Sequence, residues 1–176
     1  MKNITDEASV LKIGSIIDGM PSQSIYIDTD MLIYYFDKRS NDKGRISRET
    51  IKKILDNLTN SEIHVRISQV VLGELLVFFC IRKQDKCSSG EMINLLKELK
   101  ADYPNGNLAI MNCAQELMRD QSIKPNDAIL AAHALLDRST QWLLTTDQTL
   151  ITNLEIERQM TELRHRFTIG PSFHLL

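Results

Sequence analysis

The stretch Ile25-Tyr-Ile-Asp-Thr-Asp-Met-Leu-Ile-Tyr-Tyr-Phe36 decides the fold. Ile25, Tyr26 and Ile27 make a short apolar run that reads as a buried strand, and it stops at Asp28. Met31 to Phe36 is apolar all round and suits a helix beginning at Asp28 or Thr29. A buried strand feeding directly into a buried helix is the opening unit of a parallel α/β sheet. In such sheets functional groups collect where strands end and helices begin.

The pattern continues along the chain. Ile46, Ile51, Ile54, Leu55 and Leu58 fall at helical spacing, and Ile63, Val65 and Ile67 then alternate with His64 and Arg66 as a second strand. Leu108–Met111 reads as a third strand followed by a short helix over Cys113–Arg119, Gln141–Thr145 as a fourth strand, and Arg166–Ile169 as a fifth. Ser88-Ser-Gly-Glu91 looks like a capping box ahead of Met92, Leu95, Leu96 and Leu99. Pro125 suits the first turn of a helix running to about Arg138. Strands alternating with helices point to a mainly parallel sheet covered on both faces. The expected organisation is an N-terminal extension over 1–24 with one weak helix near 7–17, a single domain over 25–170, and a tail over 171–176.

Bulk properties narrow the classes. At 176 residues the chain suits one domain with a substantial core, and 43% hydrophobic with 25% charged residues is ordinary for a globular protein. A net charge of −2 excludes a strongly basic, histone-like nucleic-acid binder but leaves room for a local basic face. Three cysteines (Cys80, Cys87, Cys113) match no metal-ligand spacing, and no segment reads as a signal peptide, so reduced thiols in a cytoplasm are expected. The longest apolar run falls short of the roughly 20 residues of a membrane span, so no membrane association is expected.

That longest run, Ile67-Ser-Gln-Val-Val-Leu-Gly-Glu-Leu-Leu-Val-Phe-Phe-Cys-Ile81, holds a single charge, Glu74. A helix this apolar is expected to be largely buried, and a buried carboxylate needs a partner or a shifted pKa. Asp28, Asp127 in Pro125-Asn-Asp-Ala-Ile-Leu-Ala-Ala132, and Asp147 in Trp142-Leu-Leu-Thr-Thr-Asp147 likewise place acids within apolar sequence. Each of Asp28 and Asp147 also reads as a helix N-cap, and Asp127 as a first-turn acid favoured by the helix dipole. Glu74 lies past any cap, which leaves a buried ion pair or a ligand role; buried pairs are seldom net stabilising. Four acids from distant segments converge only if something neutralises them, and Mg²⁺ or Mn²⁺ is the simplest candidate. Such ions polarise phosphoryl oxygens and acidify bound water, which implies phosphodiester hydrolysis. Without metal, mutual repulsion should raise some of the carboxylate pKa values.

At these residues the chain resembles PIN-domain proteins, most of all the VapC-type toxin ribonucleases. Tyr26-Ile-Asp-Thr-Asp-Met-Leu-Ile33 resembles the family's opening strand with its Asp-Thr-Asn-x-Leu-Ile signature, and Ser68-Gln-Val-Val-Leu-Gly-Glu74 the helix with its single Glu. Pro125 to Ala134 is similar to the block bearing the third acid, and Leu144-Thr-Thr-Asp147 to the final Thr-x-Asp block. The blocks cover roughly residues 25–150. The resemblance implies a three-layer α/β/α sandwich and a Mg²⁺- or Mn²⁺-dependent endoribonuclease. It assigns the metal site to Asp28, Glu74, Asp127 and Asp147, with Thr145 in support and Glu74 acting through water. It further implies homodimerisation and, in toxin members, inhibition by an antitoxin protein. Departures are Asp30 where the family often has Asn, Leu150 where an aromatic is common, and a longer chain through the extension and Gln84–Asn107. Asp30 is a fifth acid placed to bind metal through water, contact substrate or orient Asp28.

Seven basic residues (Lys38, Arg39, Lys43, Arg45, Arg48, Lys52, Lys53) against Asp42 and Glu49 follow the first block. They read either as a guide for an RNA backbone or as a solvated helix face. His133, Phe78, Phe79 and Cys80 read as packed groups. No P-loop, Rossmann glycine pattern or nucleophile elbow is present. Asp28-Thr-Asp30 superficially resembles the haloacid-dehalogenase nucleophile motif, but Leu32 stands where that family needs Thr or Val, and Glu74 would have no role. The non-enzyme alternative is a catalytically silent PIN-fold module that binds RNA or protein.

Overall fold

The computed structural model describes residues 23–37, 41–58, 63–81 and 89–173. The helix expected near 7–17, Lys38, Arg39 and the Ser88 of the capping box lie outside the described residues. Strands β1 (Gln23–Ile27), β2 (Ile63–Arg66), β3 (Thr140–Leu144) and β4 (Thr168–Gly170) form one all-parallel sheet in the order β2-β1-β3-β4. Ile25 sits between Val65 and Trp142, and Ile27 is paired with Leu144. The apolar strands are buried on both faces by helices, as expected of an α/β/α sandwich. The chain leaves β1 toward β2 on one side and returns as β3 on the other. The C-terminal ends of β1 and β3 therefore flank a topological switch point.

The helices are α1 (Thr29–Phe36), α2 (Asp42–Asn57), α3 (Gln69–Leu76), α4 (Ser89–Glu98), α5 (Leu108–Leu117), α6 (Pro125–Leu136), α7 (Gln148–Ile151) and α8 (Leu154–Glu162). Side chains of Asp28, Asn41, Ser68, Asn107, Asp147 and Asn153 accept from first-turn amides and fix where six of them start. One apolar cluster joins the sheet to α1, α2, α3 and α4, and a second lies among α5, α6, α7 and α8. Each fully buried Leu, Ile or Met contributes about 1.5–3 kcal/mol.

Three expectations need correction. Leu108–Met111 is not a strand: it is the first turn of α5, continuous with the helix expected to begin at Cys113, so among the described residues the sheet has four strands rather than five. Asn107 caps this helix by accepting from the Ile110 amide at 3.0 Å, and Ile110, Ala114 and Leu117 bury at helical spacing. The outer edge of β2 is covered instead by the residue pair around Asp102, whose backbone bonds Val65 and Ile67 at 2.8 and 2.9 Å. The second correction concerns α3 and the π-turn Val77–Ile81 that continues it. Val71, Leu75 and Phe79 face inward, but Leu76, Val77, Cys80 and Ile81 are exposed, Ile81 at 72%. Among the described residues only one face of this apolar helix packs on a neighbour. Finally, Phe173, assigned to the tail, is buried edge-to-face on Trp142 with ring centres 5.0 Å apart, so the core reaches past Gly170.

Candidate active site

Asp28 follows the last residue of β1 and caps α1: its Oδ1 accepts from the Thr29 amide at 2.6 Å. Its Oδ2 accepts from the Thr145 hydroxyl at 2.7 Å. Thr145 stands just beyond β3, fully buried, and its Oγ1 accepts in turn from the Asp147 amide at 3.0 Å. Asp147 caps α7 through the Thr149 amide at 2.8 Å. The capping and functional readings of Asp28 and Asp147 therefore describe one geometry, because helix starts are where the strand ends deliver these side chains.

Glu74 is half-buried on α3 and its oxygens are held by neutral groups. The Thr29 hydroxyl donates to Oε2, and the Asn126 side-chain amide donates to Oε1 at 2.7 Å. Glu74 thereby joins the residue after Asp28 to the residue before Asp127. Asp127 lies in the first turn of α6, which Pro125 opens. It senses the negative charges of Asp147, Glu74 and Asp30, against Lys124. All four acids expected from the sequence thus meet around the ends of β1 and β3.

The fifth acid is there too. Asp30 accepts from the Thr146 amide at 3.0 Å and from the Thr146 hydroxyl, both through Oδ2, while its Oδ1 is buried with no hydrogen-bond partner among the described residues. Burial, followed by repulsion from Asp30, pushes the Asp28 carboxyl up to about 8 despite its two hydrogen bonds. Burial, then Asp147, pushes Asp127 up to about 6. Burial also raises Asp30, although Thr146 and the Lys43 charge oppose it. Repulsion does raise Asp28 and Asp127, but desolvation raises them more.

Thr29, Asn126, Thr146 and Lys124 are site residues that sequence reasoning did not single out. The available signal was adjacency: each lies within three residues of an acid already marked. The basic residues diverge. Lys43 sits 5.4 Å over the Tyr34 ring and its charge reaches Asp30. Arg45 is exposed and pairs with Glu49 at 3.2 Å, whereas Arg48 donates to the Asp37 carbonyl at 2.5 Å and ties α1 to α2. His133 is packed, as expected, 6.3 Å from Tyr26 ring to ring. Beside the acids runs a groove of about 560 Å³, with Ile33, Val70, Val77 and Phe78 as its apolar lining and Glu74 and Asn126 as polar wall.

Among the described residues no three acids, histidines or cysteines stand close enough to hold an ion as the side chains lie. The donor chemistry nevertheless fits a hard divalent cation. Only oxygen ligands converge, one buried carboxylate oxygen lacks a partner among the described residues, and burial followed by mutual repulsion drives two carboxylates toward their protonated form.

A parallel α/β domain with clustered acids at its switch point is the class that fold and site define together. A family model of the PIN domain matches residues 25–153, and the chain belongs to the PIN domain family, whose members are generally nucleases. Its fold is similar to a chain in the structure of VapBC2 from Rickettsia felis bound to a DNA fragment from their promoter. There the TM-score is 0.54 at 15% identity, covering 84% of this chain and 98% of that one. It is also similar to a chain of VapBC-1 from nontypeable Haemophilus influenzae, with TM-score 0.51 at 18% identity over 84% of this chain and 96% of that one. At such identities the likeness is one of fold. No curated protein matches the chain by sequence. Among the described residues no helix is long and apolar enough to cross a membrane.

Proposed function

We propose that this PIN domain is a Mg²⁺- or Mn²⁺-dependent endoribonuclease acting in the cytoplasm as the toxin of a toxin–antitoxin pair. The observation that carries the reading is the crowding of Asp28, Asp30, Glu74, Asp127 and Asp147 at the switch point, with Asp28 and Asp127 raised to about 8 and about 6. Asp28, Asp127 and Asp147 would hold the ion, with Glu74 acting through water. When bound, the ion polarises a phosphoryl oxygen and acidifies a water to attack phosphorus. The chain's own groups do the rest. Thr145 fixes the Asp28 carboxylate through its hydroxyl, Thr29 and Asn126 hold Glu74, and Asp28 must release its proton before a cation can bind. Lys43 and Lys124, whose charges reach Asp30 and Asp127, offer basic charge for an RNA backbone.

The groove beside Glu74 suits an amphipathic antitoxin segment that lays apolar residues on Val77 and Phe78 and a basic side chain toward Glu74. A second copy of the chain is the other partner under this reading, and light scattering of the purified protein decides it. Cleavage of single-stranded and structured RNA is assayed with Mg²⁺, with Mn²⁺ and with EDTA. Undiminished cleavage by Asp28→Asn and Asp127→Asn, or in EDTA, rejects this site. Absence of cleavage together with no calorimetric Mn²⁺ binding favours a catalytically silent PIN module.

A further inference from the structure

The loop 145–147 supplies Thr145 and Asp147; its ends are held by the Thr145 amide on the Gly170 carbonyl at 3.1 Å and by the Asp147 cap on α7, and its middle residue by a distant acid. It is short and lies between the end of β3 and a four-residue helix, α7. Its central residue, Thr146, is buried and gives both of its donors, amide and hydroxyl, to one oxygen of Asp30, more than 110 residues away in sequence. Asp30 is fixed by the first turn of α1, two residues after Asp28. The same strand-to-helix turn therefore presents Asp28 to Thr145 and grips the neighbour of Thr145.

We propose that Asp30 is a positioning residue that clamps Thr146, so that the Thr145 hydroxyl and the Asp147 backbone are delivered to Asp28. The geometry favours this over a merely structural polar contact. Thr145 donates to Asp28 while accepting from the Asp147 amide, and the Asp30 clamp falls between those two residues. Releasing Thr146 leaves the loop anchored at Thr145 by Gly170 and at Asp147 by its cap, but frees the midpoint that sets the angle at which the Thr145 hydroxyl meets Asp28. A charged acceptor strengthens both bonds of the clamp, at the cost of a second buried carboxylate beside Asp28. An amide oxygen at the same position would keep the clamp and drop the charge.

The inference rests on the nuclease reading for its kinetic arm only. Amide hydrogen exchange of Thr146 and Asp147 is followed by NMR on the full chain for wild type, Asp30→Ala, Asp30→Asn and Thr146→Val. RNA cleavage with Mn²⁺ is measured in parallel. Asp30→Ala should raise exchange at Thr146 by on the order of tenfold or more. It should lower kcat with KM changed less than about twofold, the mark of lost orientation rather than lost binding. Asp30→Asn should recover most of both, and adding Thr146→Val to Asp30→Ala should cost little more than Asp30→Ala alone. Unchanged Thr146 exchange in Asp30→Ala, or Asp30→Asn behaving like Asp30→Ala in both arms, overturns the proposal. If Asp30→Ala does not fold, Thr146→Val carries the same two readouts. If no RNA is cleaved by the wild type, the nuclease reading fails while the exchange arm still decides the clamp.

Discussion

Beyond the C-terminal end of β1, Asp28 accepts from Thr29 and Thr145 but faces Asp30 and Asp127. Before the N-terminal end of β3, Asp137 accepts from the Ser139 amide and hydroxyl at 3.0 and 2.6 Å and from Tyr26 at 3.2 Å. It also pairs with Arg66 at 3.0 Å. Burial pushes both carboxyls up, yet Asp137 ends below the usual carboxylate range because Ser139 and Arg66 outweigh it. Asp28 ends near 8 because burial, and then repulsion from Asp30, outweigh its hydrogen bonds from Thr145 and Thr29. At one end of the sheet Asp137 is paired with Arg66. At the other, the acids crowd together and the charges of Lys43 and Lys124 oppose them only in part, a cost that a bound cation would reduce.

Neutralising an acid separates the two ends most sharply. Asp28→Asn and Asp127→Asn should each lower RNA cleavage by at least about 100-fold while raising the melting temperature of the metal-free protein above pH 8, where each removes an ionised carboxylate from the cluster. Asp137→Asn should do the reverse. About 2 kcal/mol of stability should be lost in urea unfolding because Arg66 loses its counter-ion, with cleavage per folded molecule within about twofold of wild type. Equal stability losses at both ends would erase the distinction.

Titration sharpens it next. A carboxyl raised from 3.8 to about 8 binds its proton more tightly when folded. Its contribution to stability is therefore complete below the unfolded value and is lost as pH rises through the folded one. Melting of the metal-free protein should fall by roughly 10 °C between pH 5 and pH 8, since each pH unit in that window is about 1.4 kcal/mol and each kcal/mol about 2–4 °C at this size. Asp28→Asn should flatten that slope, and Mn²⁺ at pH 8 should restore the loss by binding the folded state. Asp137 has the opposite shift, so Asp137→Asn should leave this slope in place.

Smaller effects fall on supporting groups. Asn126→Ala removes one of the two donors to Glu74 and should cost about tenfold in Mn²⁺ affinity by calorimetry, with melting nearly unchanged. Lys43→Ala should weaken RNA binding a few-fold and reduce the salt slope of the affinity by about one. Arg45→Ala, whose charge is paired with Glu49 on the exposed face, should change that slope less.

Much of this contrast is legible along the chain. Asp28 and Asp147 announce themselves as strand-end residues because apolar runs of three to four residues stop at or just before them. The short run Leu108–Met111 is different: four apolar residues carry no period, so strand and helix are equally compatible until Ala114 and Leu117 join the buried face. The run around Glu74 misleads for a related reason. Hydrophobicity reports what a helix can bury, and the exposed Leu76, Val77 and Ile81 show that a partner on the second side is a separate matter. Nor did pattern reveal that Glu74 is held by Thr29 and Asn126, since hydroxyl and amide donors are too common to mark by type.

The sequence by itself determined the alternation of strands and helices, the four acids in order, and the residues that cap the helices, because periodicity and capping are local. Tertiary structure alone decided the four-strand order that brings β1 beside β3, the exposed flank of α3, and the grip of Asp30 on Thr146. It also decided which end of the sheet receives a cation: Arg66 reaches Asp137, whereas Arg48 is spent on a backbone carbonyl. Charge compensation depends on distances between residues far apart in the chain, which no local pattern encodes.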